Sequence, residues 1–578
     1  MICPVCGFAN GPLMRFCGGC RTKLDATDPV PADTTTNGAE SRLEGMGALT
    51  PHVGRDQEIA RLDALWADAQ AGVAHFVTLR GEAGMGKSRL LGEFRHRVEG
   101  PGVAFLELRC TPYSLNSAFF PLTELIERRL RLDRTSPAAE RLTRIETWLA
   151  ELEISAPDAA PLVASILSIP TDDRYPELAL SPARRRARTL EVLVAIVQAL
   201  ADRQPTVFVA EDLHWSDPST LELLKLIIAV MPASRTLGIF TASPEFEPPW
   251  TMGGRTSLID LSRLQNSEVE AIVQSVAHGK RLPGEVVREI AQRCDGVPLF
   301  VEEVARAVIE AGVLVEAERS WELTGPLLTG LIPATVDAAL VARIDTLGDA
   351  RSTAQLAATI GQEFSLALLA AVSERSVEQL HEDLDRITSS GLARQAVAGD
   401  REILVFKHTL VQVAAYESIH RTTRQRFHER IARVLRADFA AEVARQPELV
   451  ARHLSGAGNH AEASDYWAAA GESALGRLAV REASSHFARA LEGLKTLVET
   501  PEILTKELDL QIAIAPTLMV MNGWASPTVA AACERARALS LQLGRPDRLY
   551  RPLWGLWTNL FVGGLLDRAL VTAHEALA

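Results

Sequence analysis

The stretch Gly81-Glu82-Ala83-Gly84-Met85-Gly86-Lys87-Ser88 fits the pattern G-x-x-x-x-G-K-[ST]. Residues 73–79 before it are mostly apolar and include the β-branched Val77 and Thr78, the composition of a buried strand. Residues 89–98 after it place Leu90, Leu91 and Phe94 on one side, as a helix packed on a sheet would. Strand, glycine-rich turn and helix form the context in which this pattern cradles phosphate. Glycines let backbone N–H groups converge on phosphate oxygens where a Cβ would obstruct, and the helix start adds the positive end of its dipole. Gly81, Glu82, Ala83, Gly84, Met85, Gly86, Lys87, Ser88 and Arg89 are therefore the expected nucleotide contacts. Lys87 would reach the β- and γ-phosphates, and the Ser88 hydroxyl would ligate Mg²⁺. A chance glycine-rich turn is the alternative, and four fixed positions in the right context argue against it.

A second apolar run, Val207-Phe208-Val209-Ala210, ends in Glu211-Asp212, the Walker B pattern. A buried parallel strand reads as such a run and delivers its acidic end to the carboxyl edge of the sheet. By position, Glu211 would serve the Mg²⁺ and Asp212 would orient an attacking water, which makes Lys87, Glu211 and Asp212 the candidate catalytic residues. Alone the pattern is weak; with the P-loop it is strong. Further strands are expected at 103–109, at 236–241 (leading into Thr241-Ala242-Ser243-Pro244-Glu245) and at 257–261, giving a five-strand parallel sheet. An amphipathic helix over 57–70 carries Ile59, Leu62, Leu65 and Trp66, and a helical insert runs over 119–200. Within the insert, residues 181–188 are strongly basic; a solvated helix face is the ordinary reading, and contact with a phosphate or a neighbouring domain the alternative.

The chain has 578 residues, 47% hydrophobic, a net charge of −13 and a pI near 5.6. That length implies several domains. So acidic a chain does not coat nucleic acid or an anionic membrane through its overall field. No apolar run reaches membrane-spanning length, and Cys3 stands where a signal peptide would carry basic residues, so a cytoplasmic protein is expected. Cys3, Cys6, Cys17 and Cys20 form two C-x-x-C knuckles ten residues apart, the spacing of a four-cysteine Zn²⁺ ribbon; a disulfide pair is the alternative that a reducing compartment disfavours. Cys110, Cys294 and Cys533 read as small core residues. Residues 25–50, rich in Pro, Thr, Ala, Asp and Gly, read as a linker.

Beyond the sheet, helices are expected over 266–315 and again over 331–390, followed by a hairpin of 392–397 and 402–406 turning at Gly399-Asp400. From Pro447 the chain is helical with recurring small residues. Glu462-Ala463-Ser464 returns as Glu482-Ala483-Ser484, and Trp467-Ala468 as Phe487-Ala488. Ala532 and Ala536 return as Ala569 and Ala573, and such spacing suits tetratricopeptide-like helical hairpins. The pattern stops in mid-helix at Ala578, so the array is expected to be incomplete.

The block Glu211-Asp212-Leu213-His214-Trp215-Ser216-Asp217-Pro218 resembles the Walker B region of signal-transduction ATPases with numerous domains, in particular of bacterial soluble adenylyl-cyclase-like proteins and LuxR-type regulators. Val53-Gly54-Arg55, residues 296–303 and 332–336, and Phe406-Lys407-His408 support the resemblance over about 51–440. It implies an α/β P-loop ATPase with a helical lid and a winged helix, followed by helical repeats. In that arrangement Val53 and Arg55 lie near adenine, Gly296 and Pro298 close over the base, and His408 touches the phosphates; a core histidine at a strand end is the equal alternative for His408. The corresponding organisation is ribbon 1–24, linker 25–50, ATPase core 51–262, lid 263–328, winged helix 329–440 and repeats 441–578. Two departures matter. Ser243 stands where relatives often carry Arg, which weighs against fast hydrolysis. Only 25–50 lies where cyclase-linked relatives hold a catalytic domain, so no cyclic AMP production is expected. The implied protein is a slow ATPase switch using ATP/ADP and Mg²⁺. The helical array, with the ribbon as a second point, would meet a protein partner, with self-association coupled to nucleotide and with neither membrane nor nucleic acid as partner. A non-hydrolysing scaffold and a fragment of a LuxR-type regulator or cyclase-like protein are the rivals.

Overall fold

In the computed structural model, residues 53–577 are described, apart from 113, 114, 116, 133–135, 172, 173, 177, 232, 311, 312, 325–332, 334, 399 and 400. The expected zinc ligands Cys3, Cys6, Cys17 and Cys20, and the linker after them, lie outside the described residues.

The N-terminal α/β unit runs α1 (Asp56–Gln70), β1 (His75–Arg80), α2 (Lys87–Val98), β2 (Ala104–Arg109), α3 (Phe120–Leu130), α4 (Ala138–Glu151), α5 (Ala159–Ile166), α6 (Pro182–Arg203), β3 (Thr206–Glu211), α7 (Pro218–Val230), β4 (Thr236–Ala242) and β5 (Thr256–Asp260). All five strands are parallel, in the order β2-β3-β4-β1-β5. Alternating side chains sort onto two faces. Val77, Leu79, Val207, Val209 and Ile239 meet Leu62, Leu90 and Phe94 of α1 and α2. Phe76, Phe208 and Phe240 face the other side, toward the insert helices. In the register, Phe76 stands beside Gly238, where a Cβ would lie 2.3 Å from the Phe76 ring, so the glycine makes room for that ring. The first strand begins two residues later than the apolar run suggests, because Val73 sits exposed in the turn after α1.

Three helices follow: α8 (Asn266–Val276), α9 (Gly284–Cys294) and α10 (Pro298–Glu310), with their own core of Val269, Ile272, Ile290, Val301 and Val304. A short pair closes this unit: β6 (Leu314–Glu316), which replaces the end of the helix expected to run to 315, and β7 (Trp321–Leu323). Next come α11 (Val336–Asp345), α12 (Arg351–Ile360), β8 (Glu363–Ser365), α13 (Leu366–Val372), α14 (Val377–Ser389), β9 (Ala393–Ala398), β10 (Arg401–Phe406), α15 (Thr409–Glu417) and α16 (Arg421–Asp438). The expected hairpin is present as β9 and β10, and β8 adds a third antiparallel strand on the far side of β10.

The remainder is helical: α17 (Ala440–Arg445), α18 (Pro447–Ala457), α19 (His460–Gly476), α20 (Val480–Leu494), α21 (Pro501–Asn522), α22 (Pro527–Gln542), α23 (Tyr550–Val562) and α24 (Leu566–Leu577). Small residues set the helix spacing. A Cβ on Gly471 of α19 would fall 2.4 Å from the Phe487 ring of α20. Cys110, Cys294 and Cys533 are buried with free thiols, which burial pushes above the ordinary range. Among the described residues no helix is long and apolar enough to cross a membrane.

Candidate functional site

The carboxyl edge of the five-strand sheet gathers the loops that follow β1, β3, β4 and β5. The P-loop leaves β1 with the Gly81 N–H bonded to the Ala242 carbonyl of β4 (3.2 Å), so the loop starts from a fixed point. Gly84 and Gly86 then adopt left-handed φ of +84° and +87°, the region that favours glycine. An ideal Cβ on Gly86 would meet nothing within 4 Å, so open space lies in front of the loop. Helix α2 starts at Lys87 with no side-chain cap, leaving its first N–H groups for a ligand to engage. These features fit a bound phosphate group.

The Lys87 ammonium is buried and donates to the Gly81 and Glu82 carbonyls at 2.6 and 3.0 Å. Burial pulls it below its ordinary value, against the opposing charges of Asp212 and Glu245. Lys87, Asp212 and Glu245 therefore share one electrostatic neighbourhood. Glu211 ends β3 fully buried and points to the same face as Val207 and Val209, the side on which α2 lies. Asp212 has a left-handed φ of 56°, its N–H is held by the Thr241 hydroxyl at 2.8 Å, and its carbonyl accepts from the Trp215 N–H at 2.9 Å. That strained corner turns the chain at once into the short 3₁₀ turn Leu213–Trp215. The Ser243 hydroxyl bonds Glu245, which its own backbone N–H and this hydroxyl hold below the usual carboxylate range.

The second carboxylate-rich element is α10, and the sequence gives no sign of its contacts. The Leu299 N–H at its start bonds the Gly84 carbonyl of the P-loop at 3.2 Å. A Cβ on Gly84 would lie 3.1 Å from Leu299, so this glycine admits the helix as well as the turn. Glu302 pairs with Arg89 of α2, and Glu303 pairs with Arg343 of α11, whose guanidinium also donates to the Ser390 carbonyl after α14. Adjacent residues on a helix point about 100° apart, which lets Glu302 and Glu303 tie α10 to two different bodies. Arg263, just after β5, bridges Glu82 of the P-loop (3.1 Å) and Asp295 before α10.

Of the residues named from the resemblance, Val53 packs against the α8–α10 core, and Arg55 bonds Glu58 and Ser262 rather than standing open. Gly296 has φ +68°, and a Cβ there would strike the Leu264 carbonyl at 2.4 Å; Pro298, next but one, opens α10. His408 is half-buried at the residue before α15. Its neighbour Lys407 feels Glu302 and Glu303 of α10, although burial, the larger effect, lowers it.

The helical array meets the α/β unit beside the Walker B turn. Asp217, fully buried, caps α7 by accepting from Thr220 N–H (2.9 Å), the Thr220 hydroxyl (2.6 Å) and Phe119 N–H (3.0 Å). Glu482 of α20, equally buried, accepts from the adjacent Ser219 N–H at 2.9 Å. Burial first, and Glu482 second, raise Asp217 well above the usual carboxylate range. Around this pair the Ser117 hydroxyl bonds Glu448 of α18, Arg445 pairs with Glu127 (2.8 Å), and Arg477 reaches the Ser168 hydroxyl at 3.2 Å. The basic run also belongs here, which corrects the solvated-face reading for Arg186. Arg186 donates to the Leu478 carbonyl of the array (2.7 Å) and to the Ser219 hydroxyl (3.2 Å), because α6 lies between α7 and the turn that joins α19 to α20. Arg188 is spent within the insert on Asp158, while Arg184 stays exposed.

Residues 51–239 match the family model described as an AAA ATPase domain. The chain is 25% identical over 528 residues, 90% of its length, to an uncharacterized protein of Rhizobium meliloti, and spans 50% of that protein. It is 22% identical over 298 residues to adenylate cyclase type 10 of Oryctolagus cuniculus, spanning 18% of it. The chain thus covers half or less of the length of the curated relatives it matches. Among solved structures, a Signal Transduction ATPase with Numerous Domains with a tetratricopeptide repeat sensor, from Pyrococcus horikoshii, aligns over 91% of this chain and 83% of its own at 10% identity and a TM-score of 0.40. The RuvB protein of Thermotoga maritima aligns over 64% of this chain and 96% of its own at 13% identity and a TM-score of 0.26.

Proposed function

We propose that the chain is a nucleotide-dependent regulator. It binds ATP with Mg²⁺ at the carboxyl edge of the sheet, hydrolyses it slowly, and uses the nucleotide state to set how firmly the helical array docks. The observation that carries this reading is the junction at 211–219. Glu211 ends β3, and Asp212 with the short turn Leu213–Trp215 joins it to the start of α7, where the array's Glu482 occupies the Ser219 N–H. A displacement of that turn moves the docking point.

In this reading the P-loop N–H groups and Lys87 hold the phosphates, Ser88 and Glu211 hold Mg²⁺, and Asp212 orients the attacking water. Bound Mg²⁺ would neutralise charge on the phosphate oxygens. Lys87 must exchange the Gly81 and Glu82 carbonyls for phosphate, which its charge favours. Val53, Arg55, Gly296 and Pro298 lie at the α8–α10 junction, where an adenine would be covered. His408 would approach the phosphates from the three-stranded unit. That unit acts as an internal hinge of winged-helix type, and the array acts as tetratricopeptide-like repeats that meet a protein partner. The N-terminal cysteines, as a Zn²⁺ ribbon, add a second docking point, and the setting is the cytoplasm. A second reading, a scaffold that binds nucleotide without turning it over, is favoured by Ser243 at the end of β4, whose hydroxyl is engaged by Glu245.

Phosphate release from purified chain with ATP and Mg²⁺, beside Lys87→Ala and Asp212→Ala, separates the two. Turnover abolished in both variants supports the ATPase; ATP binding with no turnover in the unsubstituted chain selects the scaffold. Equal protease sensitivity of the array in ADP and ATP would sink the switch, because a ligand shifts an equilibrium only by its differential affinity for the two states.

A further inference from the structure

His214 lies in the 3₁₀ turn Leu213–Trp215, two residues past the Walker B pair, and no role above uses it. Its position is fixed from both sides. Asp212 starts the turn in a left-handed conformation anchored to Thr241, and the Trp215 ring lies against the imidazole with centroids 4.2 Å apart. Burial first, and then the Lys87 ammonium, press the imidazole down to about 4, while Glu245 opposes them. His214 therefore lies within electrostatic reach of the P-loop lysine and of Glu245 in the loop after β4, and it is neutral at physiological pH.

Several polar groups of this edge are engaged. Lys87 donates to Gly81 and Glu82, the Ser243 hydroxyl bonds Glu245, and the Asp212 N–H bonds Thr241. The Nδ1 of His214 is buried and has no hydrogen-bond partner among the described residues. Buried polar atoms in folded proteins are nearly always bonded, and an exception calls for a missing partner. At this sheet edge, within electrostatic reach of the P-loop lysine, the chemistry that would supply one is a phosphate oxygen. A neutral imidazole donates to it without the desolvation cost of a second buried cation.

We propose that His214 positions the terminal phosphate of bound ATP as a neutral hydrogen-bond donor, and so lets the site tell ATP from ADP. The assignment rests on the nucleotide reading above. His214 is a positioning residue: it orients the phosphate that Asp212 and water would attack.

The test is the ratio of ATP to ADP dissociation constants, with Mg²⁺, for the full chain and for His214→Ala, His214→Gln and Lys87→Ala. His214→Ala should weaken ATP on the order of tenfold, the loss of one hydrogen bond to a charged group, with ADP moved less than about twofold. His214→Gln, whose amide can still donate, should keep most of the preference for ATP. Equal loss of ATP and ADP in both variants would make His214 a packing residue and overturn the proposal, and so would unchanged ATP affinity in His214→Ala. The control reads separately. If Lys87→Ala binds ATP as tightly as the unsubstituted chain, the nucleotide reading fails and the assignment falls with it; if Lys87→Ala loses ATP while His214→Ala does not, the His214 assignment alone is overturned.

Discussion

Two pairs of buried carboxylates hold this molecule together, and they are solved in opposite ways. On α10, Glu302 and Glu303 each have an arginine partner, Arg89 and Arg343. At the start of α7, Asp217 and Glu482 share a helix N-terminus and each other's repulsion, with backbone N–H groups and hydroxyls as their bonded partners. The first arrangement is a clamp. Breaking one partner leaves an uncompensated buried charge, and neither salt nor a small pH change relieves it. The second is a poised contact. It holds the array while Asp217 carries its proton and loosens when that proton leaves. The α8–α10 unit, which meets the P-loop at Gly84, is fastened by the first kind, and the helical array by the second.

The sharpest way to break the comparison is at the clamp. Arg343→Ala strands Glu303 in the interior and should cost about 3–5 kcal/mol, read as a large fall in thermal midpoint. Replacing both, Arg343→Met with Glu303→Leu, should recover most of that stability. A double variant as unstable as the single one would show that the Ser390 carbonyl, not the carboxylate, is the contact that matters.

The poised contact should respond to pH where the clamp does not. Burial first, and Glu482 of the docked array second, raise Asp217 to about 7, so the docked state binds the proton more tightly than one without Glu482 beside it. Its contribution is full at low pH and is lost as pH rises through about 7. The groups facing the pair are Cys110, whose thiol is pushed above the usual range and stays neutral, and Arg186 on α6, which pairs with Glu222. Array docking, followed by amide exchange at the start of α7 and α20, should weaken by up to about tenfold per pH unit between about pH 4 and 7 and level off above that, since one pH unit on one proton is about 1.4 kcal/mol. Asp217→Asn should flatten that dependence. An array whose exchange is equally protected at pH 6 and pH 8 would refute the poised reading.

Glu482→Gln is the milder probe of the same contact. The amide oxygen still accepts from Ser219 N–H, while the like charge disappears. Docking should tighten by about 1 kcal/mol at pH 8 and change little at pH 6. Looser docking at both pH values would mean that the Glu482 charge, drawn to the α7 dipole, outweighs its repulsion of Asp217.

How much of this was legible in the sequence follows from where each device gets its information. The P-loop and β3 were readable because a buried parallel strand must be apolar throughout, and a phosphate-binding turn must have glycines at fixed positions. The five-strand parallel sheet and the helical region after it came with them. The strand β8 was not legible, since Glu363-Phe364-Ser365 is too short to show alternation. The docking of the array on α7 was not legible either. Glu482 reads as a surface residue of a repeat, and only the chain's path, 263 residues later, brings it to Ser219. Gly84 reads as a turn glycine; its second task, admitting Leu299, belongs to a helix far along the chain. His214 sat in plain view in the Walker B block, and its open Nδ1 is a property of packing that no spacing rule records.

Arg186 should give the smallest effect and sharpen the comparison most, because it is a cation at the poised face that neutralises neither Asp217 nor Glu482. Its guanidinium spans the Leu478 carbonyl and the Ser219 hydroxyl, and it sits 5.9 Å over the Phe119 ring. Its ion pair with Glu222 is half-exposed and worth little. Arg186→Lys keeps the charge but loses the planar fork, and should weaken array docking by about 1 kcal/mol with little change in its salt dependence. If Arg186 instead acted by tempering the Asp217–Glu482 repulsion, lysine would substitute freely and Arg186→Gln would extend the loss of docking above pH 7. Amide exchange of the two variants across pH 6 to 8 decides between a bracket that ties turn to turn and a counter-charge.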